Sequence, residues 1–424
     1  MRNFILHGDI VYAKSLTELV CKKNAYAICT NGTCDGVYAR IPSRYSGYRV
    51  YDYSGKLVLP GMVDLHLHAP QFAYRGLGMD LELLQWLQTY AFFEEAKYAD
   101  LTYARKAYGR FARAMKKSAT TRAVVFATAH KDATILLMEL LNQTGIETYV
   151  GKVNMDTDAP DNLREKDAET SAKDTVAWLD AVTGAFPYCR PIVTPRFLPS
   201  CSHELMEKLQ RIVTDRKLPV QSHLSENPEE VELVKKLYPE TAFYADGYRR
   251  YHMFGDDVQT VMAHCVYSTE EEIRLIRDSG VFVAHCPSSN MNIASGIAPV
   301  RRYLTEQIRV GLGSDVAGGE SESMFRAIRS AIQVSKLYYR LKDRQAEPIT
   351  LDEAFAMATI AGGAFFGKVG SFLPGYAFDA VVIDDRELYR GTDLTLHDRL
   401  ERAVYEEADV HSLCAKFVSG RKIL

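Results

Sequence analysis

The sequence predicts an α/β protein: a (β/α)8 barrel of the TIM type with a small β-sandwich domain formed by both chain ends. Three observations predict it. Eight apolar, β-rich runs alternate with segments of helical spacing through the middle of the chain, which is the pattern of a parallel sheet covered by helices. Short strands with turn signals occupy both ends of the chain. Polar, metal-capable side chains close several of the central runs, where barrels of this kind carry their active sites.

Taken in order, Phe4-Ile5-Leu6, Ala25 to Cys29, Val37-Tyr38 and Tyr48 to Tyr53 read as strands, with Asn31-Gly32 as a turn. Near the other end, Ala380 to Ile383 and Ala415 to Val418, followed by Gly420, read the same way. Pairing of the two ends gives a small domain of residues 1–60 plus 368–424 and leaves 61–367 as the barrel. The eight barrel strands are expected at Val63 to His68, Ala123 to Ala129, Thr148 to Met155, Pro191 to Phe197, Val220 to Leu224, Thr260 to Val266, Val281 to His285 and Val310 to Gly313. A doubly wound open sheet is disfavoured because no G-x-G-x-x-G follows an early strand. One helix start is well marked: Asn227 stands at an N-cap, Pro228 in the first turn, and Glu229-Glu230 complement the positive helix end. The fifth barrel strand should therefore finish by about Glu226.

Composition removes several classes of function. The chain has 424 residues, 47% hydrophobic and 25% charged, an ordinary globular mix with ample material for a core. Its net charge is −3, with Lys and Arg spread along the chain, so no basic track for nucleic-acid phosphates is expected. No apolar run approaches the ~20 residues that span a bilayer. The stretch Met1 to Val11 lacks the apolar length and cleavage site of a signal peptide. Eight Cys without a C-x-x-C pair suggest reduced thiols in the cytoplasm rather than a disulfide framework.

The chemistry lies at the strand ends. His66 and His68 are two apart on the first barrel strand, so both imidazoles point the same way and can converge on one ion. The fifth strand ends with His223 and, three residues on, Glu226; the sixth ends with His264, the seventh with His285 and the eighth with Asp315. His66, His68, His223 and Asp315 form the expected metal shell. Neutral imidazoles and a carboxylate suit Zn²⁺, and Fe²⁺ accepts the same set. One ion is expected, because the fourth strand (Ile192 to Phe197) brings no Lys or carboxylate to bridge a second. Such an ion lowers the pKa of water from ~16 to about 7 in the best case. Glu226 is then placed to protonate a ring nitrogen as hydroxide attacks the neighbouring carbon. Asp315 would take the proton of the attacking water and help protonate departing ammonia. His264 would hydrogen-bond the attacking oxygen or the substrate. His285 is the weaker candidate and reads at least as well as a hydrogen-bonded strand residue as it does as a catalytic one.

These residues also carry a resemblance. Pro60-Gly61-Met62-Val63-Asp64-Leu65-His66-Leu67-His68 resembles the first-strand signature of the amidohydrolase superfamily. Ser222-His223-Leu224-Ser225-Glu226, Ala263-His264, His285-Cys286-Pro287-Ser288-Ser289-Asn290 and Gly313-Ser314-Asp315 are similar to its deaminase branch. Further stretches, among them His68-Ala69-Pro70-Gln71-Phe72, Leu83-Leu84-Gln85-Trp86-Leu87, Val150 to Asp156, Thr194-Pro195-Arg196-Phe197 and Asp315-Val316-Ala317-Gly318-Gly319, resemble the guanine deaminase family. The resemblance implies hydrolysis of guanine to xanthine and ammonia, with Gln71, Arg196, Phe197, Glu226 and His264 binding the base. Arg196 would meet the O6 and N7 acceptors of guanine and penalise adenine. Gln71 would give and accept hydrogen bonds on a mixed purine edge, and Phe197 would cover a base face or line the pocket. Trp86 suits ordinary packing as well as the pocket wall. The family implies a homodimer. Ser314 stands where many relatives carry Thr, and Glu320 and Glu322 add acid near the pocket mouth. A related aminoheterocycle, a pterin or an oxidised purine, is the alternative substrate; a non-catalytic scaffold on the same fold would be expected to have lost these ligands, and all are present.

Overall fold

The computed structural model describes residues 3–389 and 393–424; the first two residues of the expected small domain, and three within its C-terminal part, lie outside these. The eight parallel barrel strands run as two arcs. One holds Met62–His68, Thr120–Phe126, Glu147–Gly151 and Cys189–Pro191 in that order; the other holds Val220–Leu224, Thr260–His264, Phe282–His285 and Arg309–Leu312. Between the arcs, Val193 N–H donates to Pro219 O at 2.9 Å and Gln221 N–H to Val193 O at 3.0 Å. At the other seam Asp315 N–H donates to His66 O and His68 N–H to Val316 O, both at 2.9 Å. Val63, Leu65, Val124, Ile192, Val261, Phe282 and Ala284 pack into one buried cluster inside the ring.

The third and fourth strands are each interrupted rather than continuous as expected. After Glu147–Gly151 and Cys189–Pro191 the chain resumes as a short parallel pair, Val153–Asn154 with Thr194–Pro195. The displaced register leaves Arg196 and Phe197 just beyond the second segment. Gly151 is required here: a Cβ on it would fall 1.7 Å from Thr194 Oγ1.

Both chain ends form one seven-stranded sheet. Its order is Arg421–Lys422, Leu413–Val418, Ala380–Ile383, Arg49–Pro60, Phe4–Ala13, Leu19–Thr30 and Thr33–Tyr38. Phe4, Leu6, Tyr12, Phe372, Phe378 and Phe417 form the core of one face, while Val11, Leu57, Leu59 and Val381 join the barrel's core. The C-terminal segment is not purely β. Helix Leu396–Tyr405, opened by a capping box between Thr395 and Asp398, packs against helix Met324–Leu341. Buried Arg399 on that helix ties the ends together, donating to Asp9 at 2.5 Å, to both oxygens of Asp385 at 2.8 Å and to Gly55 O at 2.9 Å. Among the described residues, no helix is long and apolar enough to cross a membrane.

Candidate active site

The chain leaves several barrel strands through the left-handed backbone region. Ser225, His264, Cys265 and Asp315 all have φ between 47° and 73°, an unfavourable conformation for non-glycine residues that clusters at functional sites. The turn after Asp315 is tight enough to need glycine: a Cβ on Gly319 would stand 1.9 Å from Ser314 O, and one on Gly318 2.4 Å from Ser289 Oγ. Ser314 is held from the first strand, donating through N–H (3.0 Å) and Oγ (2.5 Å) to the two oxygens of Asp64. A Thr hydroxyl could make the same bond, so the Ser is a mild departure.

The turns bring four predicted side chains together. His66 Nε2 lies 3.1 Å and His68 Nε2 3.5 Å from Asp315 Oδ1, and the Nε2 atoms of His68 and His223 are 3.1 Å apart. Candidate ligand atoms of His66, His68 and His223 all lie within 4.8 Å of one another. The arrangement fits a cation. His66 Nε2 is buried without a hydrogen-bond partner among the described residues. Burial, reinforced by neighbouring imidazoles, holds His66, His68 and His223 well below the ordinary imidazole value, which keeps them in the neutral form that ligates metal. A cation held between these rings would take up the Nε2 lone pairs that they turn toward one another. His223 Nδ1–H donates to Arg196 O at 2.6 Å, a bond that fixes the ring and leaves Nε2 with its lone pair.

Glu226 is wholly enclosed beside this cluster. Ser295 Oγ donates to its Oε1 at 3.0 Å, and its backbone N–H donates to Glu230 Oε2 at 3.0 Å. Asn227 caps the following helix, as the sequence indicates, and Glu230 completes a capping box. Burial, followed by the charge of Asp315, pushes the Glu226 carboxyl up to about 8. His264 donates through Nδ1–H to Asn290 Oδ1 at 2.8 Å; its Nε2 faces Glu226 Oε2 at 3.4 Å and Asp315 Oδ2 at 3.7 Å.

A small cavity opens over these groups. His68, His223, Glu226, His264 and Asp315 line it together with Gln71, Arg196 and Phe197, and Leu83, Trp86, Leu87 and Ile293 add apolar wall. Trp86 donates Nε1–H to Leu77 O at 3.1 Å, so it both packs and lines the cavity. His285 is not among the residues that line this cavity. It closes strand Phe282–His285, where its carbonyl accepts from Gly313 N–H at 2.9 Å, and it lines a separate small cavity with Arg301 and Tyr338; neither ring nitrogen has a hydrogen-bond partner among the described residues. Glu320 accepts from Asn292 Nδ2 at 2.8 Å and pairs with Arg326, while Glu322 stands 3.8 Å from Arg75. Neither lines the cavity.

Two contributors escaped the sequence. Phe126 packs its ring 4.7–4.9 Å, centroid to centroid, from His66, His68 and His223; a Phe in an apolar strand signals only core. Glu95 is fully buried and paired with Arg196 and Gln71. In the sequence it is the second half of Glu94-Glu95 in a helical stretch, which reads as solvated surface.

Fold and site define a class: the chain belongs to the amidohydrolase family, whose model matches residues 57–412. Within it, the chain is 37% identical over 382 residues to the guanine deaminase of Dictyostelium discoideum (88% of this chain, 84% of that protein). It is 39% identical over 377 residues to the guanine deaminase of Mus musculus (86% of this chain, 82% of that protein). Among solved structures it is similar to a guanine deaminase from C. acetobutylicum with guanine bound in the active site, with TM-score 0.96 and 43% identity over 100% of both chains.

Proposed function

We propose that this chain is a metal-dependent aminohydrolase converting guanine and water to xanthine and ammonia. One observation carries the reading: His68, His223 and Asp315 of the imidazole–carboxylate cluster line one cavity together with Glu226, Arg196 and Gln71. The full-length similarity to a guanine-bound deaminase supports the substrate.

In this reading His66, His68, His223 and Asp315 hold one divalent ion, Zn²⁺ by its affinity for such a set. When bound, the ion supplies Lewis acidity and makes water acidic enough to react near neutral pH. The side chains handle the protons. As the water oxygen bonds to C2 of guanine, Asp315 takes one of its protons and Glu226, largely neutral near pH 7, donates to N3. Glu226 then recovers the remaining O–H proton as the C2 carbonyl forms, while Asp315 returns its proton to the amino group, which leaves as ammonia. Arg196 meets O6 and N7, Gln71 meets the mixed edge, and Phe197 lines the base. His264 sits beside both carboxylates to steady the attacking oxygen.

The test is ammonia release from a panel of aminoheterocycles, followed by ultraviolet absorbance. Guanine should be turned over with the highest kcat/KM; a pterin or oxidised purine preferred over guanine would replace the substrate assignment. The reading extends to two units (1–60 plus 368–424, and 61–367) and a cytoplasmic setting, as the strand pattern and the cysteines suggest, and to a homodimer, as the resemblance implies. Sedimentation of the purified chain checks the dimer.

A further inference from the structure

One buried carboxylate outside the proton-transfer set grips both side chains assigned to read the base. Glu95 lies in the short helix Phe92–Ala96, between the first and second barrel strands, with no exposed surface. Its Oε2 accepts from Arg196 Nη1 at 2.6 Å; its Oε1 accepts from Arg196 Nη2 at 3.0 Å and from Gln71 Nε2 at 2.9 Å. A carboxylate facing a guanidinium through two parallel bonds fixes the plane of the fork. Phe92, from the same short helix, supports that plane, with the guanidinium carbon 5.0 Å from its ring centroid.

The donor inventory shows what this leaves. Each terminal nitrogen of Arg196 spends one N–H on Glu95, so the second hydrogen of each, and Nε–H, remain for another partner. A carboxylate only accepts, so Gln71 must turn its NH2 toward Glu95. Its Oε1 then lies on the other side, where Ala317 N–H donates at 3.3 Å. One residue thus dictates which way the donors of Arg196 point and which end of the Gln71 amide acts as acceptor.

We propose that Glu95 is a positioning residue for base recognition: by clamping Arg196 and Gln71 it sets the donor and acceptor pattern that selects guanine. This rests on the guanine reading above. A merely structural Glu95 would neutralise a buried guanidinium and affect stability alone; a positioning Glu95 controls affinity for the base at unchanged metal content.

The test uses metal-loaded Glu226→Gln protein, expected to turn guanine over at least about 100-fold more slowly, and measures the Kd of guanine by titration. Adding Glu95→Gln keeps one acceptor oxygen but turns an NH2 toward Arg196 or Gln71. Guanine should bind ~10–100-fold more weakly, the loss expected for a misdirected charged hydrogen bond, with metal content unchanged. Glu95→Asp, which keeps the charge one methylene further back, should lose less, and serves as the deciding variant if Glu95→Gln fails to fold. Guanine affinity within about threefold of the parent in folded Glu95→Gln, or in Glu95→Asp where Glu95→Gln does not fold, would overturn the proposal. Failure of the Glu226→Gln parent to bind guanine would instead overturn the substrate reading, and the proposal with it.

Discussion

Replacing Glu226 by Gln removes a proton donor while leaving its surroundings in place. Ser295 Oγ, 3.0 Å from Oε1, can donate equally to an amide oxygen, and the backbone bond to Glu230 is untouched. Because burial and the Asp315 charge push this carboxyl up to about 8, the group is mostly a neutral acid at pH 7. An amide matches that form in size and charge, so stability should change by less than ~1 kcal/mol. Turnover is another matter. A positioned general acid–base contributes about 10²–10⁴-fold, or ~2.7–5.4 kcal/mol of barrier at about 1.36 kcal/mol per tenfold. The account therefore expects kcat for guanine to fall at least about 100-fold, with metal content and melting temperature near the parent's. The assay follows loss of guanine absorbance beside ammonia release. Turnover within ~10-fold of the parent would refute Glu226 as the proton carrier.

Three further outcomes follow from buried charge. Arg196→Met strands the Glu95 carboxylate, so stability should drop by about 3–5 kcal/mol and kcat/KM for guanine should fall far more than metal content; thermal unfolding and steady-state kinetics check both, and unchanged guanine kinetics would remove Arg196 from recognition. Arg399→Met leaves Asp9 and Asp385 buried without their shared cation and should also cost about 3–5 kcal/mol in denaturant unfolding; a loss below ~1 kcal/mol would contradict its role in joining the chain ends. Lys416 donates from buried Nζ to Met115 O at 2.9 Å and Ser118 O at 3.0 Å, capping helix Leu101–Lys117, and burial lowers it to about 7. Between pH 7 and 10 the unfolded chain would hold a proton on Lys416 that the folded chain has lost, so stability relative to Lys416→Met should rise with pH by about 4 kcal/mol over that window and stay flat below it. A pH-independent difference would mean the carbonyls keep the ammonium charged.

The sequence disclosed what depends on spacing along one strand or beside one turn. His66 and His68 share a strand face, and His223, His264 and Asp315 each close an apolar run, so their convergence needed only the barrel's geometry. Asn227-Pro228-Glu229-Glu230 specified its helix start locally. Features that depend on distant partners were not legible. The interruption of the third and fourth strands answers to close packing of Gly151 on Thr194, a contact between residues 43 positions apart in the numbering. Glu95 gives no local sign of burial, since its partners Arg196 and Gln71 come from elsewhere in the chain. Helix Leu396–Tyr405 did carry a signal, Thr395 followed three residues later by Asp398, but the flanking strand pattern masked it.

The central claim is that three imidazoles and Asp315 hold one catalytic ion. It is tested most directly by stripping the protein with a chelator and restoring Zn²⁺ in steps, while following ammonia release from guanine. The account predicts no release from metal-free protein, then a rise that saturates at one equivalent per chain, and no such recovery in His223→Ala. Full release from metal-free protein, or saturation only at two equivalents, would contradict it.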